Sequence, residues 1–350
     1  MFIPREATSV PLYDVDQIEV LPGPQGTLYG RSVMGGTVNV TFRRPTQQYE
    51  TLATVEAGNA SLVHLSLAQN LPVTDTFAIR LAGDYLKHQG YMTSGADSQN
   101  DWGARVSFLW QPTEDLTAYL WLAAVDKNGH PANLVVKGVD PKTGQLDPDA
   151  YLQSNPWNDQ LPEPWGSIAE ANLFGQPKAQ NQHYDNSMIG GELDYALTDA
   201  ITLTYIPSYL DMYTSADYWL GAFPGDQSNG YRQQTHELRA TGQHGWGKWL
   251  AGLYYYDQTS HGIFSFGGFD LSTAMFPVSI VDENHLRGSA FFGEATYDLS
   301  DRLRVTLGGR YQQDYRTANG RYFNGFGLAP YEYDEGFSNF DYKAGVEFDV

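Results

Sequence analysis

Residues 77–85 alternate in a period of two. Phe77, Ile79, Leu81, Gly83 and Tyr85 fall on one face of an extended chain, with Thr76, Arg80 and Asp84 on the other. Leu303, Val305, Leu307 and Tyr311 oppose Arg302, Arg304, Thr306, Arg310 and Gln312 in the same way, and Phe340, Tyr342, Ala344, Val346 and Phe348 oppose Asp341, Lys343, Glu347 and Asp349. One apolar face and one charged face at this period predict β-strands. Weaker alternation covers 51–58, 62–71, 101–111, 116–126, 186–197, 201–212, 231–241, 248–257 and 288–299. With the three above, that makes about twelve strands.

The connections decide what kind of sheet these strands build. Tight turns are expected at Val73-Thr74-Asp75, Thr113-Glu114-Asp115, Thr198-Asp199-Ala200 and Ser300-Asp301, and long excursions at 127–185, 213–230, 258–287 and 314–338, with 59–61 short by exception. Every second connection is tight. A membrane barrel has short turns at one end and longer loops at the other, whereas a soluble β-sandwich has no reason to sort its loops by end. Tyr195 and Tyr297 each stand two residues before the Leu that opens a tight turn, where an interfacial aromatic girdle would sit. The sequence therefore predicts an all-β, transmembrane antiparallel barrel, with a soluble hairpin protein as the alternative.

Composition agrees. The chain has 350 residues, 24 Tyr and 36 Gly, and few helix formers. The longest apolar run, Ala118–Val125, is far short of the ~20 residues of a membrane helix. A spanning strand needs only ~10 residues of alternating pattern. With no Cys, neither a disulfide framework nor a thiolate zinc site can form. A net charge of −20 argues against a nucleic-acid partner, because nothing would neutralise phosphates. Residues 1–8 lack the basic start and apolar core of a signal peptide, so export would require a leader upstream.

One stretch does not alternate. From Ile18 to Pro45, glycine punctuates two short strands, Ile18–Leu21 and Thr37–Phe42. Such a segment buries little apolar surface alone and needs a wall around it. It resembles the end of the plug domain of TonB-dependent outer-membrane receptors, whose signature runs approximately I-E-V-L-R-G-P-Q-G-x-L-Y-G, then G-G-x-I-N and a basic residue before Pro. Gly23, Pro24, Gln25, Gly26, Leu28, Tyr29, Gly30, Gly35, Gly36, Asn39, Arg44 and Pro45 match, and Arg31 lies within the motif. Glu237-Leu238-Arg239, Trp249-Leu250-Ala251-Gly252 and Phe292–Tyr297 are similar to barrel segments of these receptors.

The resemblance implies a plugged barrel of about 22 strands in a Gram-negative outer membrane. It implies uptake of a scarce ligand, a ferric siderophore first and otherwise cobalamin or an oligosaccharide, driven by the TonB complex. Residues 1–45 then read as the C-terminal part of the plug and 46–350 as the N-terminal portion of the barrel, with outer-membrane lipid around it. No TonB box stands in the chain, and the strand count is near half, so the expected product is a fragment that does not transport alone. Pro22 replaces the Arg usual before Gly-Pro, which removes one charged contact to the wall. Arg43-Arg44 reads as an anchor to the barrel rim.

Aromatic side chains crowd the expected loops: Trp157, Trp165 and Phe174 in the first, Tyr218, Trp219 and Phe223 in the second, Phe264 and Phe266 in the third. They either stack on a chelate or sugar at the barrel mouth or pack the loops on each other. His64 and Ser66, two apart on one strand face, match the spacing of an outer-membrane barrel hydrolase, but no third group or oxyanion site accompanies them. A lumen-facing polar pair is the plainer reading, and the protein is expected not to be an enzyme. A passive, non-transporting barrel is the other alternative. No His stands in a spacing with carboxylates that resembles a metal site, Asp140, Asp147 and Asp149 lack the Gly and Glu of a calcium loop, and no cofactor is implied.

Overall fold

The computed structural model describes residues 12–23, 36–133, 157–160, 178–220, 223–266, 278–323 and 328–349. The first two strands, β1 (Val15–Pro22) and β2 (Gly36–Phe42), form a separate antiparallel pair with Glu19 opposite Asn39 and Pro22 opposite Gly36. Asn39 Nδ2 donates to Glu19 Oε2 at 2.9 Å across that rung. Gly36 has φ +142°, and a Cβ there would lie 2.7 Å from the Leu21 carbonyl oxygen. The strands can cross this closely only over glycine.

All the remaining strands belong to one sheet: β3 (Glu50–Gly58), β4 (Leu62–Thr74), β5 (Phe77–His88), β6 (Ser98–Thr113), β7 (Leu116–His130), β8 (Gln182–Thr198), β9 (Ile201–Leu220), β10 (Phe223–His244), β11 (Gly247–Phe266), β12 (Val278–Ser300), β13 (Leu303–Phe323) and β14 (Leu328–Phe348). Each pairs antiparallel with its neighbours in chain order, so this 12-stranded sheet has β3 and β14 at its edges. The count and the tight turns follow the sequence reading. Four register shifts, between Pro72 and Thr74, Trp110 and Thr113, Ala196 and Thr198, and Asp298 and Ser300, all sit at tight turns on the same end. Bulges at a barrel rim tighten the local twist where the chain reverses.

The long excursions need correction. Most of 213–230, 258–287 and 314–338 is strand: β9 and β10 remain paired up to Leu220 opposite Phe223, β11 and β12 up to Phe266 opposite Val278, and β13 and β14 up to Phe323 opposite Leu328. Beyond Tyr209 both faces of these strands carry Asp, Asn, Gln, Ser and Thr. Contrast between faces disappears there, while the backbone ladder, which does not depend on it, continues.

The sheet is apolar outside and polar inside. Leu65, Leu67, Leu81, Leu122, Ile189, Leu193, Leu253, Phe291 and Leu307 are exposed on one face, with Phe291 at 61 %. On the other, Arg80, Arg105, Asn186, Thr204, Gln233, Thr296, Arg310 and Gln312 are buried. Two apolar islands interrupt that inner face. Val125, Tyr184, Met188, Leu210, Met212 and Tyr231 form one, and Tyr254, Tyr256, Ala290 and Phe292 the other. A soluble sheet would place its apolar face inward, so this inversion is what lipid outside and a polar lumen inside require.

Candidate functional site: the inner face and its anchor

The small sheet is tied to the inner face through Asp14, the residue before β1. Asp14 takes φ +51°, a left-handed conformation that Asp tolerates. Its carboxylate accepts from Arg80 of β5 twice, Oδ1 from Nη2 at 2.6 Å and Oδ2 from Nε at 2.9 Å, and from Arg105 Nη2 of β6 at 2.9 Å. The side chains of Asp14 and Arg80 are 2 % exposed and that of Arg105 3 %. A forked guanidinium contact of this kind fixes direction as well as distance. Arg80 Nη1 also donates to Glu50 Oε2 at 2.9 Å, and Glu50 faces Arg43 at 3.6 Å. The Arg105 guanidinium lies 4.0 Å from the Phe42 ring centroid and 5.2 Å from that of Tyr13. Burial pushes the Tyr13 phenol up to about 12, so it remains a proton donor there.

Arg44 makes the second tie. Its Nη1 donates to Glu192 Oε1 of β8 at 2.9 Å, and its guanidinium lies 4.6 Å from the Tyr119 ring centroid. Arg44 thus takes the anchoring role expected of it. Between the two ties, Asn70 Nδ2 donates to the Thr46 carbonyl at 2.8 Å while Asn70 Oδ1 accepts from Thr46 N at 3.0 Å, which sets the chain's path into β3. All these contacts cluster near the tight-turn end of the wall. Asp14, Arg80, Arg105 and Asn70 were not singled out from the sequence; a charged residue at a regular inward position of a strand was the available signal.

At the opposite end the inner face carries aromatics and amides. Tyr218 and Phe264 stack, with ring centroids 6.2 Å apart. Asn284 Nδ2 donates to Asp282 Oδ2 at 3.0 Å, Arg316 Nη2 donates to Asn284 Oδ1 at 3.0 Å, and the Arg316 guanidinium lies 5.6 Å from the Tyr333 ring centroid. Tyr218 Oη and Asn229 Nδ2 are buried on this face without a hydrogen-bond partner among the described residues. Of the aromatic residues expected at the mouth, Tyr218 and Phe264 are thus brought together. Trp157 instead packs against Tyr91, centroids 6.1 Å apart, in the loop-packing role. Trp165 and Phe174 lie outside the described residues. So do the side chains of Trp219, Phe223 and Phe266, whose backbones belong to β9, β10 and β11. Within the motif, Gly23 and Asn39 join Gly36 in the small sheet's structure, and Pro24, Gln25, Gly26, Tyr29, Gly30, Arg31 and Gly35 are outside the described residues.

His64 does face the polar interior. Its Nε2 meets Asp84 Oδ1 at 2.9 Å and its Nδ1 meets Glu56 Oε2 at 3.3 Å. Both ring nitrogens are committed to carboxylates, which leaves none to activate Ser66.

A wall that is greasy outside and polar inside, present here as an open sheet of 12 strands with a small sheet tied to its inner surface by buried ion pairs, defines part of a membrane β-barrel. The sequence model for the TonB dependent receptor-like β-barrel matches residues 131–350, and the chain belongs to the TonB-dependent receptor family. It is 23 % identical over 251 residues to the ferrichrome outer membrane transporter/phage receptor of Escherichia coli strain K12, covering 70 % of this chain and 30 % of that one. It is 25 % identical over 218 residues to the metal-pseudopaline receptor CntO of Pseudomonas aeruginosa, covering 59 % and 27 %. The ferric yersiniabactin uptake receptor FyuA from Yersinia pestis has the same fold, with a TM-score of 0.74 at 16 % identity over 96 % of this chain and 50 % of that one. The chain therefore spans under a third of these curated relatives and about half of that solved structure. The family resides in the Gram-negative outer membrane, and these relatives are receptors and transporters, not enzymes.

Proposed function

We propose that residues 1–45 serve as the closing part of a plug and residues 46–350 as the barrel wall of a receptor for a ferric siderophore, driven by the TonB complex. The observation that carries this reading is the buried Asp14–Arg80–Arg105 junction, which holds the small sheet inside the polar lumen. A plug has to be held firmly at rest and released under force, and a few ion pairs at one end of the lumen suit both demands. The ligand class rests on relatives named for ferrichrome, pseudopaline and yersiniabactin. Tyr218, Phe264 and Arg316 offer π-faces and a cation to an anionic ferric chelate at the mouth.

The test is quenching of intrinsic fluorescence in the detergent-solubilised chain by hydroxamate, catecholate and carboxylate ferric chelates. Saturable quenching by one class is expected, weakened by about tenfold in Tyr218→Ala and Phe264→Ala. No saturable quenching by any class, or wild-type binding in both variants, would refute the assignment.

A further inference from the structure

On the outward face, β7 and β8 pass from lipid-facing to polar residues rung by rung. Leu122 is opposite Ile189, Ala124 opposite Ser187, Asp126 opposite Asp185, and Asn128 opposite His183. Two outward acids elsewhere on the wall have a basic partner: Arg232 Nε lies 3.1 Å from Asp211 Oδ2, and His285 Nε2 lies 3.3 Å from Asp257 Oδ1. Asp126 and Asp185 instead oppose each other directly, and like charges across a rung repel. Among the described residues neither has a Lys or Arg ion-pair partner; the basic group beside them is His183, whose Nδ1 is 3.9 Å from Asp126 Oδ2.

Ligand atoms of Asp126, His183 and Asp185 all lie within 4.8 Å of one another. Asn128 braces the group, accepting from His183 Nδ1 at 2.9 Å and donating through its Nδ2 to Asp126 Oδ1. Support from an outer amide of this sort orients metal ligands and tunes their affinity. A cavity of about 550 Å³ bordered by Asn100, Asn128, His130 and His183 opens on the His183 side of the group.

The geometry points to a divalent-cation site in which Asp126, His183 and Asp185 coordinate a first-row transition ion of the zinc class on the outer surface, just above the apolar band. One imidazole with two carboxylates is a borderline donor set that suits Zn²⁺ and its neighbours and not Ca²⁺, which takes oxygen alone. The ion also removes the Asp126–Asp185 repulsion. Because the site faces away from the lumen, it stands apart from the transport reading. His183 and Asp185 stand two apart on one strand face, but Asp126 lies 57 and 59 positions away on the neighbouring strand, so the sequence shows two of the three ligands and the register supplies the third.

Calorimetric titration of Zn²⁺ into the untagged, detergent-solubilised 350-residue chain tests this. One equivalent is expected to bind and raise the melting temperature, with Ca²⁺ unable to compete. Asp185→Asn and Asp126→Asn each keep side-chain shape, so they are expected to fold, to lose at least about tenfold in Zn²⁺ affinity, and to melt no lower than wild type without metal. Asp211→Asn is expected to bind like wild type. Absence of Zn²⁺ binding to the wild-type chain, Ca²⁺ binding of equal strength, or undiminished Zn²⁺ affinity in both the Asp126 and Asp185 variants would overturn the site.

Discussion

Asp14 concentrates more consequence than any other single residue, since two guanidinium groups depend on its carboxylate and all three side chains are shut off from water. Removing one partner of a buried ion pair strands the others, at a typical cost of about 3–5 kcal/mol. Asp14→Ala is expected to detach the small sheet and leave the large one intact, so that trypsin cuts between Arg43 and Arg44 quickly while the fragments from 50–349 persist; unchanged protection of that bond would refute this. Substitution of Arg44 should do less, because the Arg44–Glu192 pair is partly exposed and better screened. Gly36 was legible in the sequence as part of a spaced motif, and the 2.7 Å approach of Leu21 O explains the need for it. Asp14 was not legible: it precedes the motif, and its partners stand 66 and 91 positions away. Alternation put Arg80 on the polar side of its strand, yet only the path of the chain ahead of β1 could reveal what it meets.

Individual strands show where periodicity works and where it fails. Through the apolar band the contrast between faces is large, and the strand positions there match the expected ones. Above the band, β9–β14 continue as paired strands whose composition alone is indistinguishable from loops, because polarity on both faces is also what loops show. Hydrogen exchange separates the alternatives. Amides of 213–218 and 225–230 in β9 and β10 are expected to be protected at levels approaching those of 203–209, as rungs of one ladder; exchange as fast as that of 90–97, which lie outside the strands, would contradict the pairing. The aromatic positions divide along the same line. Tyr218 and Phe264 meet because the ladder places them on one face of paired strands, whereas Trp157 meets Tyr91 through loop contacts that no periodic pattern encodes.

Across the whole molecule the inside-out distribution of polarity sets which changes are tolerated. Leu307→Arg puts a charge in the middle of the apolar band, at a cost of about 2–4 kcal/mol near the bilayer midplane, while Gln313→Arg, outward but three rungs nearer the rim, is expected to cost about 0–1 kcal/mol. Folding equilibria measured in lipid vesicles check the ranking; equal effects would mean that this surface does not face hydrocarbon. Sidedness of this kind was readable from sequence, because it needs only a period of two and a rule for which face is wet. Height was not. The 23 residues of β12, at about 3.3 Å each and a tilt near 40°, rise roughly 60 Å along the barrel axis, against an apolar band of about 25 Å. Some 30 Å of hydrogen-bonded wall therefore stands clear of the hydrocarbon, by the same arithmetic. A solute approaching from outside meets a stiff parapet first, and its girth is tested well before it comes near the lipid plane.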